Sequence, residues 1–250
     1  MTRVKTPAEI EAMRESGHML AEVLNRLSSM AEVGMSTKDL ANYAKQELRS
    51  LGGQPTFLGY QGFPDVLCVS VNDEVVHGIP SAHKTLADGD IISLDFGVTY
   101  KGMITDGAIS IIVGEPNPND KKLIDTTRLS LEAAIDIMKN NVKVGDISNA
   151  VESILRPAGY GIVRDLVGHG VGHELHEDPN IPNHGKSNVG PKLTTGMTVA
   201  VEPMATKGNY QVKTDADGWT IRTLDGSKSA HFEHTILITD SGSEVLTALK

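Results

Sequence analysis

The chain has a single cysteine, fewer bases than acids and no long apolar run. Cys68 alone among 250 residues excludes an internal disulfide and fits a reducing compartment. Lys and Arg total 23 against 32 Asp and Glu, a formal net charge of −9. A dedicated nucleic-acid binder needs a basic face, so that class is disfavoured. No apolar stretch nears the ~18 residues of a membrane-spanning helix. The opening MTRVKTPAEIEAMRES is charged and soon helical, unlike a secretory signal. A cytoplasmic protein without membrane contact is the expectation. A Pro- or Ser-rich linker is also missing. With 39% hydrophobic residues, the chain reads as one compact unit with an ample core.

Helix signals come first. Thr6, Pro7 and Glu9 form a capping box with proline at the first helical position. Ile10, Met13, Leu20, Leu24 and Leu27 then follow at helical spacing. Residues 33–53 read as a loop, a capped helix and a glycine stop. Residues 65–80 read as a strand, a turn at Asn72-Asp73, and a second strand leading into His77. Residues 89–114 read as a hairpin turning near Tyr100-Lys101. The pattern then restarts, with an amphipathic helix at 119–140 and another at 144–161. VGDISNAVESILRPAGYG echoes VGMSTKDLANYAKQELRSLGG, each running from Val-Gly through a helix to a glycine. Strands follow around 162–169, 197–202 and 231–239, with hairpins between 206 and 230. This suggests one unit, residues 1–250, of two similar halves, roughly 1–115 and 116–250, sharing one core. Two ordinary α+β segments alike by chance are the plainer alternative.

Acids within apolar strands carry the chemical signal, because an unpaired buried carboxylate is costly. Asp95 stands in SLDFGV and Asp106 in MITDGA. A hairpin turning symmetrically about Tyr100-Lys101 sets them directly opposite, about 5 Å apart at Cβ. Two carboxylates that close need a proton or a cation between them. Glu202 ends TVAVEP and Glu233 opens a strand in AHFEHTILIT; each alone reads as a solvated strand end. Before them runs DLVGHGVGHELHEDPN, with His169, His173 and His176. His169 and His173 have the spacing of a helical zinc pair, but the interleaved glycines make a helix costly. Two Asp, two Glu and one imidazole suit a pair of first-row divalent ions better than a thiolate-type structural zinc. Such a pair makes a hydrolytic centre. DFG at 95–97 lacks the other kinase motifs, and GHGVG lacks the helix of a dinucleotide loop. DADG at 215–218 reads as a turn rather than a calcium loop. Cys68, in VLCVSV, reads as a buried inert thiol.

Taken together, LDFG…TD, GHGVGHELHEDP, VEP and FEHT resemble the type I, bacterial-type methionine aminopeptidases in order, content and spacing. The resemblance covers essentially the whole chain. It implies the α+β pita-bread (creatinase/aminopeptidase) fold, internally duplicated, with a curved antiparallel sheet flanked by helices. It implies two divalent ions (cobalt, manganese, iron, zinc or nickel) on Asp95, Asp106, His169, Glu202 and Glu233. In the family's mechanism a metal-bridging hydroxide attacks the first peptide bond. Glu202 shuttles the proton, His176 stabilises the oxyanion and His77 contacts the scissile nitrogen. The methionine pocket maps onto Tyr60, Phe63, Cys68, His77, His176 and Trp219. Phe63, Leu175 and Phe57 depart from the family's commoner tyrosine, phenylalanine and cysteine, which leaves the pocket's shape open. His173 falls at a variable position and reads as structural. His231 shares a strand face with Glu233, which leaves a supporting contact to that ligand open, with a bystander as the plainer reading.

The implied substrates are N-terminal methionyl peptides and nascent chains whose next residue is small. Association with the ribosome follows from the family, although no basic patch supports it; nothing demands more than a monomer. An Xaa-Pro aminopeptidase of the same fold is one alternative. Those are similar but longer chains with an added N-terminal domain. Type II enzymes carry an insertion between the two glutamates, which are separated here by only 30 residues. A non-catalytic peptide-binding module is the third reading, weakened by the presence of all five ligands.

Overall fold

The computed structural model describes residues 2–249. Helices α1 (Pro7–Met30) and α2 (Thr37–Leu51) precede strands β1 (Gln54–Pro55), β2 (Cys68–Val71), β3 (Glu74–Val76), β4 (Ile91–Tyr100) and β5 (Met103–Ile112). Helices α3 (Pro118–Asp136) and α4 (Val144–Leu155) follow, then β6 (Gly161–Ile162), β7 (Gly168–Gly170), β8 (Glu177–Ile181) and β9 (Thr198–Val201). The chain closes with β10 (Met204–Thr206), β11 (Val212–Thr214), β12 (Ile221–Thr223), β13 (Ser229–His231), β14 (His234–Ile238) and β15 (Ser243–Val245). Every named strand pair is antiparallel. This is the α+β architecture of antiparallel sheets flanked by helices, and helix, helix, strands occurs twice along the chain. Among the described residues no helix is long and apolar enough to cross a membrane.

The first helix forms as its cap dictates. The Thr6 N–H donates to Glu9 Oε2 at 2.7 Å, and the Glu9 N–H donates to Thr6 Oγ1 at 3.3 Å. Its buried stripe of Met13, Leu20, Leu24 and Leu27 lies against β4 and β5. One core joins α1 and α2 to β2 and β4 through Leu27, Leu40, Leu67 and Phe96; another joins α3 and α4 to β9 and β14 through Leu131, Ile147, Val199 and Ile236. The helices therefore cover the sheets from outside, and the strands carry the polar centre between them.

Two sequence expectations need correction. The β4–β5 hairpin turns one residue later than its sequence symmetry suggests, at Lys101 (φ 49°) and Gly102 (φ 77°). Two left-handed residues twist the way a two-residue hairpin requires, and glycine supplies the second without strain. Asp95 therefore faces Ala108, and Asp106 faces Gly97. The shift of two preserves the face, because side chains alternate with period two. The two aspartates are diagonal neighbours on one side of the sheet, not direct partners. The Val-Gly echo is likewise out of register. Val33-Gly34 form a turn before α2, whereas Val144-Gly145 open α4. The matching positions are Ser36 and Lys143, each in an isolated β-bridge, to Thr85 and to Lys192. Each is followed at the third helical position by an acid, Asp39 or Asp146, that accepts the cap residue's backbone N–H.

A five-stranded sheet, in the order β15-β14-β9-β7-β8, carries the histidine segment. The run is extended at Gly168–Gly170, not helical. A Cβ on Gly168 would collide with the Ala200 carbonyl oxygen on β9 and crowd Ile181 on β8. Gly168→Ala is expected to force β7 away from β9 and to destabilise the protein by about 1–3 kcal/mol, the usual cost of overpacking. Urea denaturation followed by circular dichroism measures this; an unchanged midpoint would show that the strands are not held this close.

Candidate active site

Two strand pairs deliver the site's acids and its histidine by the same geometric rule. On β4 and β5, Asp95 pairs with Ala108 and Asp106 lies two residues away on the same face. On β7 and β9, His169 pairs with Ala200, and Glu202 follows two residues later, just past β9. Diagonal neighbours of this kind lie within reach of long side chains. His169 Nε2 is 3.5 Å from Glu202 Oε1. Glu233, between β13 and β14, joins the two pairs. Its N–H donates to the Ala108 carbonyl at 2.9 Å, and it accepts the Ala108 N–H at 3.2 Å. Thr235 clamps the next turn of the same contact: its Oγ1 accepts the Asp106 N–H at 2.9 Å and its hydroxyl donates to the Asp106 carbonyl at 2.8 Å. Asp106, His169 and Glu233 consequently offer ligand atoms that all lie within 4.8 Å of one another.

The electrostatics of this group call for protons or a cation between the acids. Asp95, Asp106 and Glu233 are buried, and Glu202 nearly so. Burial raises the Asp95 carboxyl to about 7. It pushes Asp106, Glu202 and Glu233 well above their ordinary values, and the neighbouring acids push them further. At ion-pair distance Glu202 and Glu233 meet only histidines among the described residues, and Asp95 and Asp106 have no basic partner there. Asp95 Oδ1 and Glu233 Oε1 are buried without any hydrogen bond. Four carboxylates buried together without Lys or Arg fit divalent cations, which oxygen-rich sets with an imidazole bind well. His169 is oriented for this. Its Nδ1 lies 2.9 Å from the Gly170 carbonyl, so Nδ1–H donates there and Nε2 is free. Burial, with His176 nearby, lowers its pKa to about 4, so the ring is neutral.

Above the acids lies a cavity of about 160 Å³. Its lining contains Asp95, Asp106, His169, Glu202 and Glu233 together with Tyr60, Phe63, Cys68, His77, His176 and Trp219, the ligand and pocket residues that the family resemblance implied. Phe57 and Leu175 join the apolar wall. Phe63 meets Trp219 edge-on at 5.2 Å between centroids. Burial pushes the Cys68 thiol well up, with Asp95 and Asp106 adding to the effect, so the thiol stays protonated. His77, lowered to about 4 by burial and then by His176, is neutral. His176 packs 4.4 Å from His169 and holds Tyr60 Oη at 2.8 Å from its Nδ1. Gln61, which the sequence reading missed, donates from Nε2 to that Oη at 3.3 Å. The Tyr60 hydroxyl thus accepts from Gln61 and shares a hydrogen bond with His176 Nδ1; when the hydroxyl is the donor, the His176 proton sits on Nε2. His173 is elsewhere: its Nε2 contacts Glu9 Oε1 at 2.8 Å, and its N–H donates to Glu177 Oε1 at 2.7 Å. It ties the loop to α1, the structural role read from the sequence. His231 is no bystander by position: its Nε2 lies 3.8 Å from Glu202 Oε2 and 3.9 Å from Glu233 Oε2.

Comparisons with known proteins agree with this geometry. The model of metallopeptidase family M24 matches residues 11–240. The methionine aminopeptidase of Clostridium acetobutylicum is 43% identical over 99% of this chain and 99% of its own. Methionine aminopeptidase 1 of Bacillus subtilis is 45% identical, covering 97% and 98%. The crystal structure of the methionine aminopeptidase from Thermotoga maritima superposes with a TM-score of 0.98 at 44% identity, covering all of both chains.

The buried acids set a pH signature for the metal-free chain. Their folded-state pKa values exceed the unfolded ones, so the folded state binds protons more tightly. Stability from this source is complete below the ordinary value of 3.8 and is lost as pH rises through about 7, the Asp95 value. With chelator present, the melting temperature is expected to be higher at about pH 5.5 than at about pH 8, and added manganese should remove the difference. Calorimetric melts with and without metal test this; a metal-free melting temperature independent of pH would contradict it.

Proposed function

The chain belongs to metallopeptidase family M24, and from that premise we infer that it is a methionine aminopeptidase, removing the N-terminal methionine of polypeptides. The observation that carries this is the conjunction of full-length identity to such enzymes with a buried acid cluster at the floor of an apolar cavity. We assign two divalent ions, manganese, cobalt, iron, zinc or nickel, to Asp95, Asp106, His169, Glu202 and Glu233. When bound, such ions lower the pKa of water and polarise a carbonyl.

The chain's own residues do the rest. Phe63, Cys68 and Trp219, with Tyr60 at the rim, seat a flexible thioether side chain by apolar contact. Glu202, whose burial and neighbouring acids favour its protonated form, holds the proton taken from water and returns it to the leaving amine. His176, when Tyr60 donates to its Nδ1, carries its proton on Nε2 and donates it to the oxygen that gains charge. The neutral His77 ring contacts the nitrogen of the bond being cut. The apolar cavity supports methionine as the first residue, and a small second residue is the corresponding expectation.

Asp95 and Asp106 come from residues 1–115, while His169, Glu202 and Glu233 come from 116–250. That division supports one catalytic domain, 1–250, built of two halves. All site residues lie on one chain, so a monomer suffices. A substrate that is a new N-terminus puts the work in the cytoplasm, on nascent chains beside the ribosome.

With manganese or cobalt, the protein should release methionine from Met-Ala-Ser and leave Ala-Pro-Ala intact. Cleavage of only the second peptide would indicate an Xaa-Pro aminopeptidase; cleavage of neither, with metal bound, would indicate a binding module. Asp106→Ala and Glu233→Ala should each reduce kcat by about 100-fold or more, the scale of losing a group that stabilises transition-state charge. Near-wild-type turnover in either variant would sink the ligand assignment.

A further inference from the structure

His231 is a buried polar side chain that the mechanism above does not use. It is 1% exposed, and neither ring nitrogen has a hydrogen-bond partner among the described residues. Leaving a buried donor and acceptor unpaired is costly, so such a group calls for an explanation. The backbone around it is fixed tightly. Its N–H donates to Ser110 Oγ at 2.8 Å, and its carbonyl accepts the Ser110 hydroxyl at 2.8 Å. On the other side it pairs with Met204, two residues after Glu202. The ring is thus held between the strand of Asp106 and the end of the strand that delivers Glu202. Its Nε2 stands nearly equidistant from two acids, 3.8 Å from Glu202 Oε2 and 3.9 Å from Glu233 Oε2. A movement of about 1 Å brings either oxygen into hydrogen-bond range. A neutral imidazole has one N–H to give and an ionised carboxylate only accepts, so donation runs from the ring to the acids.

We propose that His231 is a positioning residue whose Nε2–H is shared between the carboxylates of Glu202 and Glu233, holding them in the geometry that receives the cations. The role rests on the reading of those glutamates as metal ligands. Cations draw one oxygen of each acid, and the imidazole orients the other. Partners of this kind fix ligand rotamers before the ion arrives.

The test is calorimetric titration of the metal-free, full-length protein with manganese, alongside the His231→Ala, His231→Leu, His231→Gln and Glu233→Ala variants. His231→Leu keeps the ring's volume if the alanine variant does not fold. Removing the donor should weaken metal affinity about 10- to 100-fold, and His231→Gln, which retains an N–H, should return it to within about threefold. With cobalt, the visible bands of His231→Gln should keep their wild-type positions, because no ligand has changed. Wild-type affinity in the alanine or leucine variant would overturn the proposal. A glutamine variant as weak as alanine, with shifted cobalt bands, would overturn it too, by making the imidazole itself a ligand. Wild-type affinity in Glu233→Ala would instead overturn the ligand assignment beneath it.

Discussion

Four carboxylates buried in one strand-lined cavity dominate this molecule. Any one of them in a core is expensive, and together they repel. Among the described residues no base neutralises them: the ion pairs that involve Glu202 and Glu233 are with neutral histidines, and no Lys or Arg reaches the group. The helices and the two larger apolar cores enclose this group, and its charge fits the divalent metal use of a metallopeptidase. Several local features follow from that need. His169 gives its second nitrogen to a backbone carbonyl, Asp106 Oδ1 takes the Gly107 N–H at 3.0 Å, and Asn183 steadies the Glu202 carbonyl at 2.9 Å.

The cavity is assembled by pairing rules instead of by loops. In each strand pair the two contributing residues are diagonal across an antiparallel ladder, and Glu233 bridges directly to the β5 residue between them and the second sheet. Strands hold side chains more precisely than loops do. The apolar wall, by contrast, sits largely on irregular segments. Phe57, Tyr60 and Gln61 surround a single turn of 3₁₀ helix, and Trp219 stands beside the tip of the β11–β12 hairpin. That division of labour fits a site whose floor must be rigid and whose rim must admit a peptide.

Much of this was legible in the sequence, for identifiable reasons. Asp95, Asp106 and Glu202 sit in apolar, β-rich runs, where an acid stands out against its surroundings. The caps of α1 and α2 are local chemistry, so Thr6, Glu9 and Ser36 announce themselves. The errors have local causes as well. The hairpin register depended on Lys101 taking a positive φ, which lysine seldom does, so symmetry in the letters gave the wrong partner and yet the right face. The Val-Gly echo was a coincidence of letters four positions out of structural register. Gln61 carried no signal, because its role comes from the Tyr60–His176 contact, and His231 showed only its shared strand face with Glu233, not its approach to Glu202. Those contacts are made by residues far apart in sequence.

The histidine run shows the same principle in its sharpest form. His169 and His173 have the spacing of a helical zinc pair, and spacing alone would make them partners. Two glycines decide otherwise. Gly168 lets β7 press against the Ala200 carbonyl, and Gly170 lets it press against the Asp178 carbonyl on the opposite side. The strand between β8 and β9 can be this close only where side chains are absent, and the one side chain it does carry, His169, is then forced toward the acids. Four residues on, the chain has left the sheet, and His173 turns to Glu9 on the first helix. The place of His169 beside the acids is therefore defined by how closely its neighbours allow the backbone to approach, and the glycines carry as much of that information as the histidine.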